Sequence, residues 1–332
     1  MYKNIKITGI GTSYPPNECS YNELEKHFKK RGIRIKSLMT ILGKEKRYSM
    51  DENTNYFGLL MQASQMALDE SNMNASNIDM IVVVAETPEH ISPTNAMNLA
   101  YHLNADNVKI AYDLNGNCAG GVLAIDQVSR YLESNEDIQN ALIVNAFMGS
   151  YIRREEDPIS FSTFSDSSSA IMLEKKTEDW ISGFLGSEYR TNCSYIKMDV
   201  FPSSGFQAIL TGNKRSENDV KLDINSSIDL SFIPDVWSDL LNGLLKKNQL
   251  SVGDISNYIF SQFSLYHIVT TMAKLKQDQA KAPYVGQKYG YNGGCSPIFA
   301  LNEVKNNLKA QDYIILCGIG AGYLSSAVLY KI

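Results

Sequence analysis

The sequence predicts an α/β protein made of two similar halves, each alternating helices with a largely buried sheet. Three observations carry this. Short continuous apolar runs such as Ile81–Val84 and Ile314–Leu316 suit strands covered on both faces. Apolar residues recur at helical spacing at Leu60, Ala63 and Ala67, and again at Ile125, Val128 and Leu132. Segments of the first half also return in the second.

The repeat is visible element by element. Ala75–Asp79 leads into the apolar strand Met80–Ala85, and Val252–Ser256 leads into Asn257–Phe260, with Ile78 and Ile255 177 residues apart. Asn117–Gly121 and Gly294–Ile298 are both loop-to-helix junctions, and Cys118 and Cys295 are again 177 residues apart. More loosely, Ala141–Phe147 matches Tyr313–Ile319, each followed by a closing strand, Ser169–Leu173 and Ser326–Tyr330. The expected domains are residues 1–175, carrying Cys118, and residues 176–332. Around a pseudo-twofold axis, the loops after Val84, Tyr112, Phe260 and Tyr289 would converge on one site.

Composition removes several classes. At 332 residues and 44% hydrophobic the chain is long and apolar enough for a large core, which excludes disorder. Its longest apolar run, Met80–Ala85, cannot span a bilayer. The N-terminus MYKNIKITGIG has no apolar signal-peptide core, so a cytoplasmic protein is expected. Five scattered cysteines without Cys-x-x-Cys and four histidines without ligand spacing predict neither a disulfide framework nor a metal site. A net charge of −5 disfavours nucleic acid as the partner.

Cys118 is the leading chemical candidate. It lies between the strand ending at Tyr112-Asp113-Leu114 and an apolar helix starting near Ala119. The helix N-terminus there favours thiolate, and Gly116, Gly120 and Gly121 allow close approach of a substrate. A buried structural thiol is the competing reading, and it is the one given to Cys19, Cys193 and Cys317. Gly318–Gly322 reads GIGAG, but only ten residues follow it, too few for a dinucleotide-binding helix. A tight strand-to-strand turn offering backbone N–H groups to an oxyanion fits better.

Taken together, Asn117–Gly121, Tyr289–Gly293, Ser296–Glu303 and the terminal glycine turn resemble β-ketoacyl-acyl carrier protein synthase III, a condensing enzyme of the thiolase superfamily. The likeness runs in the same order over nearly the whole chain, including Gly43–Arg47 and Phe164-Ser165-Asp166. It implies a five-layered duplicated thiolase-like fold, usually dimeric, with an acyl group carried on Cys118. It also implies a substrate linked to coenzyme A or to the phosphopantetheine of an acyl carrier protein, and no permanently bound cofactor or metal. The oxyanion donors would be the backbone N–H groups of Cys118 and Ala321.

The other catalytic positions depart from the family pattern. A gapless match to its His-Gln-Ala-Asn segment puts Gln262 at the histidine and Leu265 at the asparagine. The second catalytic asparagine falls on Tyr291, with Asn292 adjacent. His267 lies in the following helix, where a packing or surface role is commoner than catalysis. Gln262 donates a hydrogen bond but is no base, so acyl transfer is favoured over simple decarboxylative condensation. Glu86, at the end of Ile81–Ala85 in an apolar loop, is the candidate base. Lys26, Lys29, Lys30, Arg31, Arg34 and Lys36 form a basic cluster, and Lys30, Arg153 and Arg154 are the candidate contacts for coenzyme A phosphates or an acidic carrier protein.

The expected function is acyl transfer from a pantetheine thioester through Cys118 to an acceptor in specialised or fatty-acid-related biosynthesis. Two alternatives stand beside it: a degenerate subunit of a heterodimeric condensing enzyme, and a decarboxylative ketosynthase with a rearranged site. A homodimer is the expected assembly.

Overall fold

In the computed structural model, which describes residues 1–213 and 216–332, two sheets lie face to face across a pair of central helices. The first sheet has five strands in the spatial order Tyr2–Ser13, Asp166–Glu178, Asn140–Met148, Met80–Ala85, Ile110–Leu114. Its last three strands are parallel, and Asp166–Glu178 runs antiparallel to both of its neighbours. The second sheet has four, ordered Ile255–Phe260, Tyr313–Gly320, Gly322–Lys331, Gly183–Tyr195, with the same alternation of sense. This duplicated, layered α/β architecture is the thiolase-like arrangement expected.

The apolar strands are buried on both sides because they separate two cores. In Met80–Ala85, Val82 and Val84 face the central helices Gly120–Ser134 and Ser296–Val304. Ile81, Val83 and Ala85 face the outer helices Tyr56–Ser71 and Asn95–Leu103. Those helices are punctuated locally. Asn55 Oδ1 accepts from Gly58 N at 2.7 Å, and the chains leave through left-handed Asn72 and Asn104. The second sheet is covered by Ile233–Lys247, with Trp237 and Leu241, and by Leu265–Lys274, with Ile268 and Met272. Residues 17–49 form a separate lobe, packed around Leu24, Phe28, Ile35 and Met39.

The internal repeat needs two corrections. Ile78 and Ile255 are equivalent, each ending a 3₁₀ turn and entering a strand. At the helix junctions, however, Asn117 (φ 50°) matches Gly293 (φ 52°), and the helices start at Gly120 and Ser296. The offset there is 176 residues, so the counterpart of Cys118 is Gly294, and Cys295 matches Ala119. The second correction concerns the strand Ile110–Leu114. Its counterpart segment curls into the helical turn Gly286–Tyr289, which leaves the second sheet one strand short. Where the two junctions meet, a methyl group on Gly121 would collide with the carbonyl oxygen of Gly294.

Candidate active site

Four chain segments meet where the two sheets end. Cys118 sits in the 3₁₀ turn Asn117–Ala119 behind the left-handed Asn117, a conformation uncommon for a residue with a side chain. Asn117 Nδ2 donates to the carbonyl of Ala321 at 2.9 Å, tying the cysteine turn to the Gly320–Gly322 hairpin. Glu86, just beyond Met80–Ala85, brings Oε2 to 3.5 Å from the Cys118 sulfur. The Tyr291 hydroxyl interacts with the same sulfur and with Ser261. The Tyr291 ring is held among Phe147, Phe164 and Phe263.

The electrostatics oppose a resting thiolate, contrary to the expectation from the helix N-terminus alone. Burial and the neighbouring Glu86 charge push the Cys118 thiol well above its usual range, while the Tyr291 contact pulls the other way. Burial likewise raises Glu86 to about 7 despite its contact with Cys118. Its other oxygen, Oε1, is buried without a hydrogen-bond partner. The pair is therefore a protonated thiol beside a carboxyl group that titrates near neutrality, an arrangement suited to moving one proton.

The end of the strand Ile255–Phe260 sorts its residues by face. Gln262 is turned into the protein: Nε2 donates to the carbonyls of Phe260 at 2.8 Å and Pro283 at 3.2 Å, and Oε1 accepts from Val285 N at 2.8 Å. With its amide fully used in joining loops, it does not face the sulfur. The residue turned toward Tyr291 is Ser261, buried and 3.5 Å from the Ser296 hydroxyl. Sequence matching missed it, although strand alternation after Phe260 was the available signal. The carbonyl of Gln262 accepts a hydrogen bond from Lys44, a fully buried amine whose pKa burial drives far down.

The remaining candidates separate. Asn292 follows Tyr291 and is buried, with Nδ2 unpartnered. A methyl group on its neighbour Gly293 would lie 3.0 Å from Glu86 Oε1, so this turn closes over the carboxylate. Ala321 borders both chambers that reach the sulfur. His267 is buried in its helix beside Tyr266, driven down to about 4 by burial, and borders neither chamber. Arg153 lies over the Phe161 ring at 5.5 Å and donates to the carbonyl of Phe164, and exposed Lys30 ends the helix Tyr21–Lys29.

The sulfur is accessible. A chamber of about 330 Å³ joins Cys118 and Glu86 to Phe147, Phe164, Phe201 and Leu222. A narrower one of about 140 Å³ joins Cys118 and Tyr291 to Ile159, Ile224 and Ser226. These last three residues also border an outer cavity of about 450 Å³ that carries Arg34 and Arg154 together with Glu156, Asp157 and Asp223. Arg154 is paired there with Asp223 at 2.8 Å. The outer cavity thus adjoins the narrower chamber that reaches the cysteine, with Ile159, Ile224 and Ser226 bordering both. Among the described residues no cluster of metal-ligating side chains occurs, and no helix is long and apolar enough to cross a membrane.

Comparison with known proteins agrees with this architecture. Residues 112–193 match the family model described as 3-oxoacyl-[acyl-carrier-protein (ACP)] synthase III, and residues 245–332 match its C-terminal counterpart. The chain is 30% identical over 341 residues to a β-ketoacyl-[acyl-carrier-protein] synthase III of Clostridium perfringens strain SM101, covering 99% of this chain and 100% of the relative. Among solved structures, 3-oxoacyl-[acyl-carrier-protein] synthase III of Aquifex aeolicus VF5 superposes with a TM-score of 0.86 at 21% identity, covering 99% of this chain and 100% of that one. The priming β-ketosynthase of the R1128 polyketide biosynthetic pathway gives 0.89 at 18% identity, covering 99% and 96%.

Proposed function

Because the chain belongs to the 3-oxoacyl-[acyl-carrier-protein] synthase III family of condensing enzymes, we propose that it transfers acyl groups through a thioester on Cys118. The donor would be an acyl-coenzyme A or acyl carrier protein, its phosphopantetheine arm entering past Arg34 and Arg154. The observation that carries this reading is the Cys118–Glu86 contact at 3.5 Å, opening onto two chambers.

In the first step Glu86 accepts the proton of the Cys118 thiol as the sulfur attacks the donor carbonyl. Backbone N–H groups of Cys118 and Ala321 would receive the developing oxyanion. The carbonyl–sulfur bond of the donor then breaks, and its thiolate leaves with the proton held by Glu86. Where the family pattern has histidine and asparagine for condensation, Ser261 and Tyr291 supply hydroxyl groups. These donate hydrogen bonds but do not act as bases near neutral pH, which favours acyl transfer over decarboxylation. Assembly as a homodimer would cover the outer edge of Ile110–Leu114, whose residues remain partly exposed, near exposed Met97 and Tyr101.

Incubation with a panel of acyl thioesters should add a single acyl mass to the protein and none to Cys118→Ala. Intact-mass spectra without an adduct from any thioester would overturn the reading.

A further inference from the structure

We propose that Asp199 makes the chamber beside Cys118 a binding site for a primary amine, and that this amine accepts the acyl group. The inference rests on the acyl-Cys118 reading above and names its second substrate.

Asp199 belongs to the short strand Asp199–Val200, paired with Asp223–Ile224. It borders both chambers that contain the Cys118 sulfur. Among the described residues its carboxylate forms no hydrogen bond or ion pair, and the charge acting on it is that of another carboxylate, Asp157. Burial and that repulsion raise it to about 6, which leaves it mostly ionised at neutral pH. Its own charge bears on both Glu86 and Cys118. Its chamber is otherwise walled largely by Phe147, Ile152, Phe164, Phe201 and Leu222.

An ionised carboxylate with no partner in an apolar chamber is costly to keep. Here it also raises the pKa of the nucleophile, the wrong direction for acylation. A cationic ligand offsets both effects, whereas a neutral alcohol offsets neither. Position within the chamber separates an acceptor from a charged acyl tail. Asp199 lies at the junction of the two chambers, sharing Cys118, Phe164 and Ala321 with both, so its charge meets the reacting carbonyl rather than the far end of an acyl chain. The outer cavity is of mixed charge, with Arg34 and Arg154 beside Glu156, Asp157 and Asp223.

The step balances. Asp199 holds the ammonium and takes one proton from it, and the freed nitrogen attacks the acyl-Cys118 carbonyl. The carbon–sulfur bond breaks, an amide forms, and the Cys118 sulfur recovers a proton from the attacking nitrogen through Glu86. The proton on Asp199 returns to solvent. Acyl-Cys118 and an alkylammonium thus become an amide, a free thiol and one proton.

The test follows discharge of the pre-formed acyl-Cys118 protein by intact mass. Alkyl amines and the isosteric alcohols are added at matched concentration, and hydrolysis is the internal reference. Amines should discharge the acyl group at least tenfold faster than the alcohols. Asp199→Asn should lower the ratio of aminolysis to hydrolysis at least tenfold, and Asp199→Glu should restore part of it. Equal discharge by amines and alcohols, or an unchanged ratio in Asp199→Asn, overturns the proposal while leaving the acyl-Cys118 reading intact. Failure of the acyl adduct to form at all removes both, and is seen before any acceptor is added.

Discussion

Glu86 Oε2 stands 3.5 Å from the Cys118 sulfur, and its charge makes the thiol harder to ionise, whereas the thiol contact eases ionisation of a carboxyl group that burial holds near neutrality. In such a pair the carboxylate form of Glu86 takes up the thiol proton, so acylation should depend on how far Glu86 is ionised. The rate of adduct formation on Cys118 is expected to rise through pH about 7, where Glu86 titrates. Glu86→Gln should flatten that profile and slow acylation by roughly 10²–10⁴, as read by stopped-flow or quenched intact mass. A profile unchanged by the substitution would remove Glu86 from the proton path.

The same shift has a stability consequence of definite sign. The folded-state pKa of Glu86 is raised from its ordinary value of 4.5 to about 7, so between these values the native state binds more protons than the unfolded state. Stability therefore falls as pH rises through this window. Glu86→Gln should be more stable than the parent at pH 8 by about 1–3 kcal/mol and gain little at pH 4. Denaturant midpoints at the two pH values measure the difference.

Tyr291 separates packing from chemistry. Tyr291→Phe keeps the ring among Phe147, Phe164 and Phe263, so stability should change by less than about 1 kcal/mol. Loss of the hydroxyl beside the sulfur should slow acylation or onward transfer by roughly 10–10³. Tyr291→Ala should cost about 3–5 kcal/mol in unfolding free energy. Equal activity of the parent and Tyr291→Phe would exclude a role for the hydroxyl.

Neighbouring residues at the end of Ile255–Phe260 should behave in opposite ways. Gln262→Ala leaves the Val285 N–H without its acceptor and should destabilise by about 1–3 kcal/mol, with the remaining folded protein active. Ser261→Ala should leave the unfolding midpoint nearly unchanged and reduce turnover. Thermal melts run beside single-turnover assays distinguish the two. A catalytic loss in Gln262→Ala without loss of stability would return the role to Gln262.

Arg34 and Arg154 line the outer cavity. Replacing both by alanine should raise KM for acyl-coenzyme A about tenfold or more and weaken its dependence on ionic strength, because surface charge attraction is screened by salt. Substitution of Lys30, which borders none of these cavities, should do neither.

Much of this protein was legible along the chain. The doubly buried strands, the helical spacing of Ile125, Val128 and Leu132, and the return of the Ile78 motif at Ile255 each report a local period or a local turn. The places of Cys118 and Glu86 follow from loop positions at strand ends and that of Tyr291 from the family resemblance, and the fold brings those three side chains together. Side-chain direction and pairing were settled only in three dimensions. A strand alternates faces at every residue, so Ser261 turns toward Tyr291 while Gln262, one place on, turns into the protein. The repeat offset slipped from 177 to 176 because a left-handed turn, set by Asn117 and Gly293, aligns the junctions better than the two cysteines do. The high thiol pKa and the unpaired carboxylate of Asp199 arise from burial among segments distant in sequence, and burial is a property of the packed whole.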